Sequence, residues 1–215
     1  MNASTFEGSA RERLLAAADE LFYEQGIHTV GIDRIIERAG VAKASLYGTF
    51  GSKDELVRAY LHKRDTDRRA KLMAAIERHT DPIDRLLAVF DSLADSVRRS
   101  SFRGCALGNA CAESEPGSVA AEVTGQARGW LLELLTGLAK AAGAADSKLL
   151  GRQLALLYEG VNTRSRLERD PANAAAARRA SGASDEATRA TESRIDWNAR
   201  RPFATACSPL EPNTS

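Results

Sequence analysis

One stretch constrains this chain more than any other. Between Gly26 and Leu56, two short segments flank Gly40-Val41, and a third begins at Ser52 just after Gly51. Ile32, Ile35 and Ile36 fall on one face of the first segment at helical spacing. Glycine at 26, 40 and 51 stops any single helix from running through, so the stretch must fold as separate helices joined by tight turns. Hairpin dipeptides and alternating β-branched runs are absent elsewhere, so the whole chain reads as all-α.

Helix signals recur along the sequence. Ser9 and Glu12 have capping-box spacing and open a helix whose Leu14, Ala18, Leu21 and Phe22 share a face. Ser52 and Glu55 repeat that spacing at the head of a long helix reaching about residue 79. The inward set of that helix, Leu56, Val57, Tyr60 and Leu61, resumes only at Leu72 and Ile76. The charged run 63–69 between them reads as a solvated middle of a rod joining two lobes. Asp81-Pro82 and Asp170-Pro171 each pair a capping aspartate with proline at the first helical position. Further helices are expected near residues 82–99, 105–114, 118–142 and 147–169. The alanine-rich helix after Pro171 has no evident apolar face, and residues 181–215 read as a polar, disordered or loosely docked tail.

A net charge of +1 excludes a protein that holds nucleic acid by bulk positive charge. Locally the balance differs: residues 34–64 carry a surplus of four positive charges, the kind of bias that phosphate contact requires. Helix, tight turn and second helix are also what a helix-turn-helix needs, the first helix bracing a second that enters the major groove. The three cysteines, Cys105, Cys111 and Cys207, form no CxxC pair, and His28, His62 and His79 are scattered, so neither a metal site nor any cofactor is expected. With no signal pattern and no apolar run near the ~20 residues of a membrane span, a cytoplasmic, non-membrane protein is expected.

The run from Ala39 to Leu56, AGVAKASLYGTFGSKDEL, resembles the signature of TetR-type repressors, with Tyr47, Phe50, Lys53 and Leu56 where that signature puts them. Residues 104–113, GCALGNACAE, resemble a segment found in one subgroup of these regulators. The resemblance implies that Lys43 and Ser45 face bases from the recognition helix, with Ala44 and Gly48 on the same helix in the DNA-facing set. It places the Tyr47 hydroxyl on a phosphate and Thr49 at another. Lys53 would meet phosphate together with the free N–H groups of the long helix, while Leu46 and Phe50 would be core. Where such proteins often carry hydroxyl caps this chain has Gly31 and Ala42; Thr29 is expected to compensate near the first, inside the DNA-binding set. Three regions are therefore expected: a helix-turn-helix DNA-binding domain (1–51), a helical ligand-binding and dimerisation domain (52–180), and the tail. Implied partners are a palindromic double-stranded operator, a second copy of the chain, and a small-molecule effector.

For the effector cleft, Phe90, Phe102, Cys105, Leu107, Asn109, Trp130, Leu134 and Tyr158 are expected as walls, and their apolar, aromatic character suggests an apolar or aromatic effector. Plainer readings exist: the aromatics as core, the thiols as inert, Asn109 and Glu113 as i, i+4 partners or as contacts to a neighbouring helix. Two rival functions stand beside the repressor. A Cys105-nucleophile enzyme lacks any histidine after His79 and any HExxH, GxSxG or phosphate-loop motif. A redox regulator would use Cys105 or Cys111 in place of ligand binding.

Overall fold

The computed structural model describes residues 8–168 and 170–190, with side chains described as far as residue 182. Helices account for all of its regular structure: α1 (Ala10–Gln25), α2 (Ile32–Ala39), α3 (Lys43–Phe50), α4 (Lys53–Ile76), α5 (Pro82–Val97), α6 (Ala106–Glu113), α7 (Val119–Ala141), α8 (Ser147–Glu168) and α9 (Ala172–Ala190).

The expected caps account for the starts of α1, α4 and α5. Ser9 and Glu12 make the reciprocal capping box of α1, while Asp81 caps α5 with Pro82 behind it. Ser52 Oγ accepts from Glu55 N–H at the head of α4, but the Glu55 carboxylate turns to Arg58 instead, so this box is only half made. Thr29 does not compensate for Gly31: α2 has no side-chain cap, and neither does α3 at Ala42.

Two apolar cores form, and α4 threads both. The first unites Leu14, Leu21, Phe22, Ile35, Leu46, Leu56 and Tyr60 with Leu107, Val123 and Ala127. It therefore extends beyond residue 51 into α6 and the start of α7. In the second, Leu72, Ile76, Phe90, Leu135, Leu154 and Tyr158 pack with Ala174 and Ala177. Tight α7–α8 packing is set by Gly151, where any Cβ would stand 2.9 Å from the Thr136 backbone.

Two expectations fail here for physical reasons. The charged middle of α4 is not simply solvated. Asp65 is 6% exposed and accepts from Arg68 and Arg69, both at 2.6 Å, at i+3 and i+4. The guanidiniums of Arg68 and Arg69 cover the Trp130 ring at 5.7 and 4.6 Å, and Arg64 stacks on Tyr23 at 4.0 Å while pairing with Asp19. Only Lys63, Thr66 and Asp67 of that run face water. The second concerns α9, which continues through residue 181 to Ala190 and does have a buried face, made of Ala174, Ala177 and Ser181. Small residues let it lie close to α5 and α8, a face that a search for large apolar side chains passes over. The remainder of the expected tail, residues 191–215, lies outside the described residues.

Candidate DNA-reading face and effector cleft

Leu46 anchors α3, its side chain fully buried and the only residue of that helix in the core. The opposite face is open. Ala42, Lys43, Ala44, Tyr47, Gly48 and Thr49 are exposed, Tyr47 to 45%, while Ser45 and Phe50 are half-buried. Behind α3, α2 buries Ile35 and Ala39, and Gly40 ends α2 in the left-handed conformation (φ 62°, ψ 43°). Arg13 of α1 donates to the Gly40 carbonyl at 3.2 Å and holds that turn. Gly51, at φ 78°, is the sole residue turning the chain between α3 and the Ser52 cap of α4.

The positive surplus of this region is largely spoken for. Arg38 pairs with Glu20, Arg58 with Glu55 and Glu122, and Arg64 with Asp19, so carboxylates from α1 and α7 offset charges that a local count leaves free. Lys43 meets Asp33 at 3.1 Å with both side chains mostly exposed, and Asp33 holds the lysine above its ordinary pKa. Such a pair is weak in water and can yield to a phosphate. Burial pushes Lys53 below its ordinary value as its ammonium sits 6.0 Å over the Phe22 ring. Thr29 is exposed beside α2, and Arg11 covers Phe50 at 5.4 Å.

A cleft in two lobes opens behind α4. One lobe of about 190 Å³ lies between α4, the end of α5 and the loop before α6; the other, of about 310 Å³, lies between α6, α7 and α8. They meet at Arg68, Cys105, Leu107, Tyr158 and Asn162. Burial raises the Tyr158 phenol to about 12, so it stays protonated and can donate. A bridge connects this region to the helix-turn-helix. Tyr23 Oη donates to the Gly104 carbonyl and accepts from Arg103 N–H, and Glu113 of α6 accepts from Ile27 N–H at 2.9 Å in the α1–α2 turn.

Comparison with known proteins decides the family. Residues 14–60 match the family described as bacterial regulatory proteins, tetR family, and residues 82–181 match a tetracyclin repressor-like C-terminal domain. A TetR-family transcriptional regulator from Streptomyces coelicolor superposes at a TM-score of 0.76 with 35% identity, over 86% of this chain and 96% of that one. The chain belongs to the TetR family of transcriptional regulators. A second TetR-type structure, from Streptomyces avermitilis, gives a TM-score of 0.71 at 33% identity over 76% of this chain and 90% of its own. Among curated relatives, the transcriptional activator FasR of Mycolicibacterium smegmatis is 37% identical over 91 residues, 42% of either chain. The regulator LmrA of Bacillus subtilis is 34% identical over 88 residues, 40% of this chain and 47% of its own. The match thus spans less than half the length of these curated relatives. No described helix is long and apolar enough to cross a membrane.

Within this TetR-family regulator the expected cleft residues divide. Phe102, Cys105, Leu107, Asn109 and Tyr158 line the lobes. Phe90 does not: it is fully buried, edge-on to Tyr158 at 6.5 Å, and belongs to the second core. Trp130 is roofed by two guanidiniums, and Leu134 packs on the second core, so neither reaches the cleft. Nor are the walls short of charge. Sequence reasoning passed over Arg64, Arg68, Lys71, Arg99 and Arg166, together with Asn162. One signal was available: Tyr158 and Asn162 are i, i+4 on α8, and Arg64, Arg68 and Lys71 form one stripe of α4. Asn109 does not bond Glu113; it accepts from Arg166 and donates to the Arg103 carbonyl. Cys105 stands where the lobes join, while Cys111 is not among the lining residues.

Proposed function

We propose that the chain is a ligand-responsive repressor acting in the cytoplasm as a homodimer on a palindromic operator. The observation that carries the reading is the path of α4. Its Ser52 cap is one residue from the end of α3, and its far half, through Arg64, Arg68, Lys71 and Leu72, walls the cleft. A molecule that shifts α4 from within the cleft resets the aim of α3. By linkage, ligand and DNA then weaken each other's binding by one factor.

Dimerisation through the C-terminal helices is supported by α8. Leu149, Leu156 and Leu167 are 53%, 68% and 77% exposed, and their spacings of seven and eleven residues keep them on one helical face. Self-pairing of this stripe about a two-fold axis covers it. Two copies then present their α3 helices one DNA turn apart, about 34–36 Å, or somewhat further. On this reading Lys43 and Ser45 face bases, with Ala44 and Gly48 letting the helix approach. Tyr47, Thr49, Thr29 and Lys53 hold phosphates.

The test is fluorescence anisotropy on the DNA upstream of the chain's own gene. The parent binds and its affinity falls steeply with salt; a Lys43→Ala, Tyr47→Phe pair binds more weakly with a flatter salt slope. Equal binding by that pair overturns the residue assignment. Sedimentation of a Leu149→Glu, Leu156→Glu chain as a monomer supports the α8 interface.

A further inference from the structure

The two lobes of the cleft differ in chemistry. The α4–α5 lobe is lined by Arg64, Arg68, Lys71 and Arg99 against the single carboxylate of Asp67, with the hydroxyls of Ser92, Ser96 and Ser101 around them. The α6–α8 lobe has the apolar wall, Leu107, Ala112, Ala127, Leu131 and Leu167; of its cations, Arg128 is paired with Glu159 at 3.0 Å and Arg166 donates to Asn109 at 2.7 Å.

Arg64 is paired with Asp19 at 2.6 Å, but the rest of the basic lobe is not neutralised. Asp65 serves two guanidiniums at once, leaving one positive charge over. Arg68 spends Nε and Nη2 on Asp65 and the Ala127 carbonyl, and its guanidinium also lies against the Tyr158 phenol. Lys71 and Arg99 have no ion-pair partner among the described residues. Lys71 follows Arg68 at i+3 on α4 and Arg99 lines the same lobe, so like charges face a common space, an arrangement that costs the empty protein free energy. An anion in that space offsets the repulsion and gains charge-assisted hydrogen bonds.

We propose that the effector is an organic anion, a carboxylate or phosphate ester on an apolar body. Its charge lies in the lobe of Arg68, Lys71 and Arg99, and its body in the lobe of Leu107, Ala127 and Leu131. Tyr158, protonated at the junction, donates to the head group beside Arg68. This rests on the ligand-cleft reading above and adds a charged head to the apolar or aromatic effector that the sequence suggested.

The full-length protein is titrated by calorimetry with octanoate, phenylacetate and phenyl phosphate, with octanamide and phenylacetamide as uncharged partners, and with inorganic phosphate alone. Operator release is read by anisotropy in parallel. At least one acid is expected to bind about tenfold or more tightly than its matched amide. A Lys71→Gln, Arg99→Gln chain, altered only at side chains on the cleft rim, is expected to lose that preference while melting no lower than the parent and binding operator as it does. Comparing the carboxylates with phenyl phosphate identifies the head group. An amide that equals its acid, and is excluded by Leu131→Trp, overturns the anion inference and leaves the cleft reading intact. Absence of binding by every acid at millimolar concentration also overturns it, as does inorganic phosphate binding as tightly as any of them. An acid that binds with the expected preference yet leaves operator affinity unchanged supports the inference and instead overturns ligand control.

Discussion

The helix-turn-helix and the two-lobed cleft are built from the same material, helices capped by hydroxyls and aspartates, yet they hold their polar residues in opposite ways. Around α3 the chemistry is exposed and the support is apolar: Leu46, Ile35 and Ala39 are buried so that Lys43 and Tyr47 stay outside. In the cleft the chemistry is itself the support. Asp65, Arg68, Arg69 and Trp130 form a charged and aromatic layer between the two cores, and Arg68 belongs both to that layer and to the cleft wall. A reading face of this kind tolerates change at its contact residues. A cleft of this kind couples its contact residues to stability.

The largest expected effect tests that coupling. Asp65→Ala removes the carboxylate from two guanidiniums in a nearly buried site and should destabilise the chain by about 3–5 kcal/mol. Urea unfolding measures it. Midpoints that coincide with the parent's would show a wet layer and erase the contrast between the two regions. Leu46→Ala comes next, at about 3 kcal/mol, from lost transfer energy and a cavity beneath the recognition helix. Its unfolding should be accompanied by loss of operator binding. A chain that keeps full affinity would mean that α3 does not need its anchor.

These two residues also mark what was legible in the sequence. The helix-turn-helix was readable because its signals are local: Gly40 and Gly51 at the turns, Ser52 at the cap, and Ile32, Ile35 and Ile36 at helical spacing, with Leu46 implied as core by the TetR-type resemblance. α2 and α3 flank Gly40-Val41 as expected for that reason. The cleft was not readable in the same way. Asp65, Arg68 and Arg69 resemble any solvated charge run until α7 brings Trp130 over them, and that contact spans some sixty residues of sequence. Phe90 and Trp130 were expected in the cleft because aromatic content does not say which side of a helix bundle a ring will face. The buried face of α9 escaped notice because alanines at 174 and 177 pack by closeness and contribute little apolar area.

A smaller effect bears on the bridge between the regions. Glu113→Ala deletes the acceptor for Ile27 N–H and should cost about 1 kcal/mol, since a charged acceptor is lost at a partly solvated site. Glu113→Gln retains an acceptor oxygen and should fall between that variant and the parent. Differential scanning of the three chains orders them. If Glu113→Ala melts with the parent, the bridge rests on Tyr23 and its contacts to Arg103 and Gly104 alone.

The smallest effect runs in the opposite direction and is the most specific to the reading face. Ala42 already has the extended backbone of an N-cap (φ −73°, ψ 150°) but no side chain able to accept from the first turn of α3. A serine there requires no change of backbone and supplies the missing acceptor, so Ala42→Ser should stabilise the chain by about 0.5–1 kcal/mol. Ala42 is exposed, so the added oxygen meets no steric objection from the core. Its hydroxyl also sits beside Lys43 at the exposed start of α3, so operator affinity should hold or rise. The same exchange at Gly31 should gain less, because glycine is already a fair cap and only a few tenths of a kcal/mol separate it from serine. A rise in melting temperature for Ala42→Ser that exceeds the rise for Gly31→Ser is therefore the expected order. The reverse order would mean that the first turn of α3 is held by contacts other than its own cap.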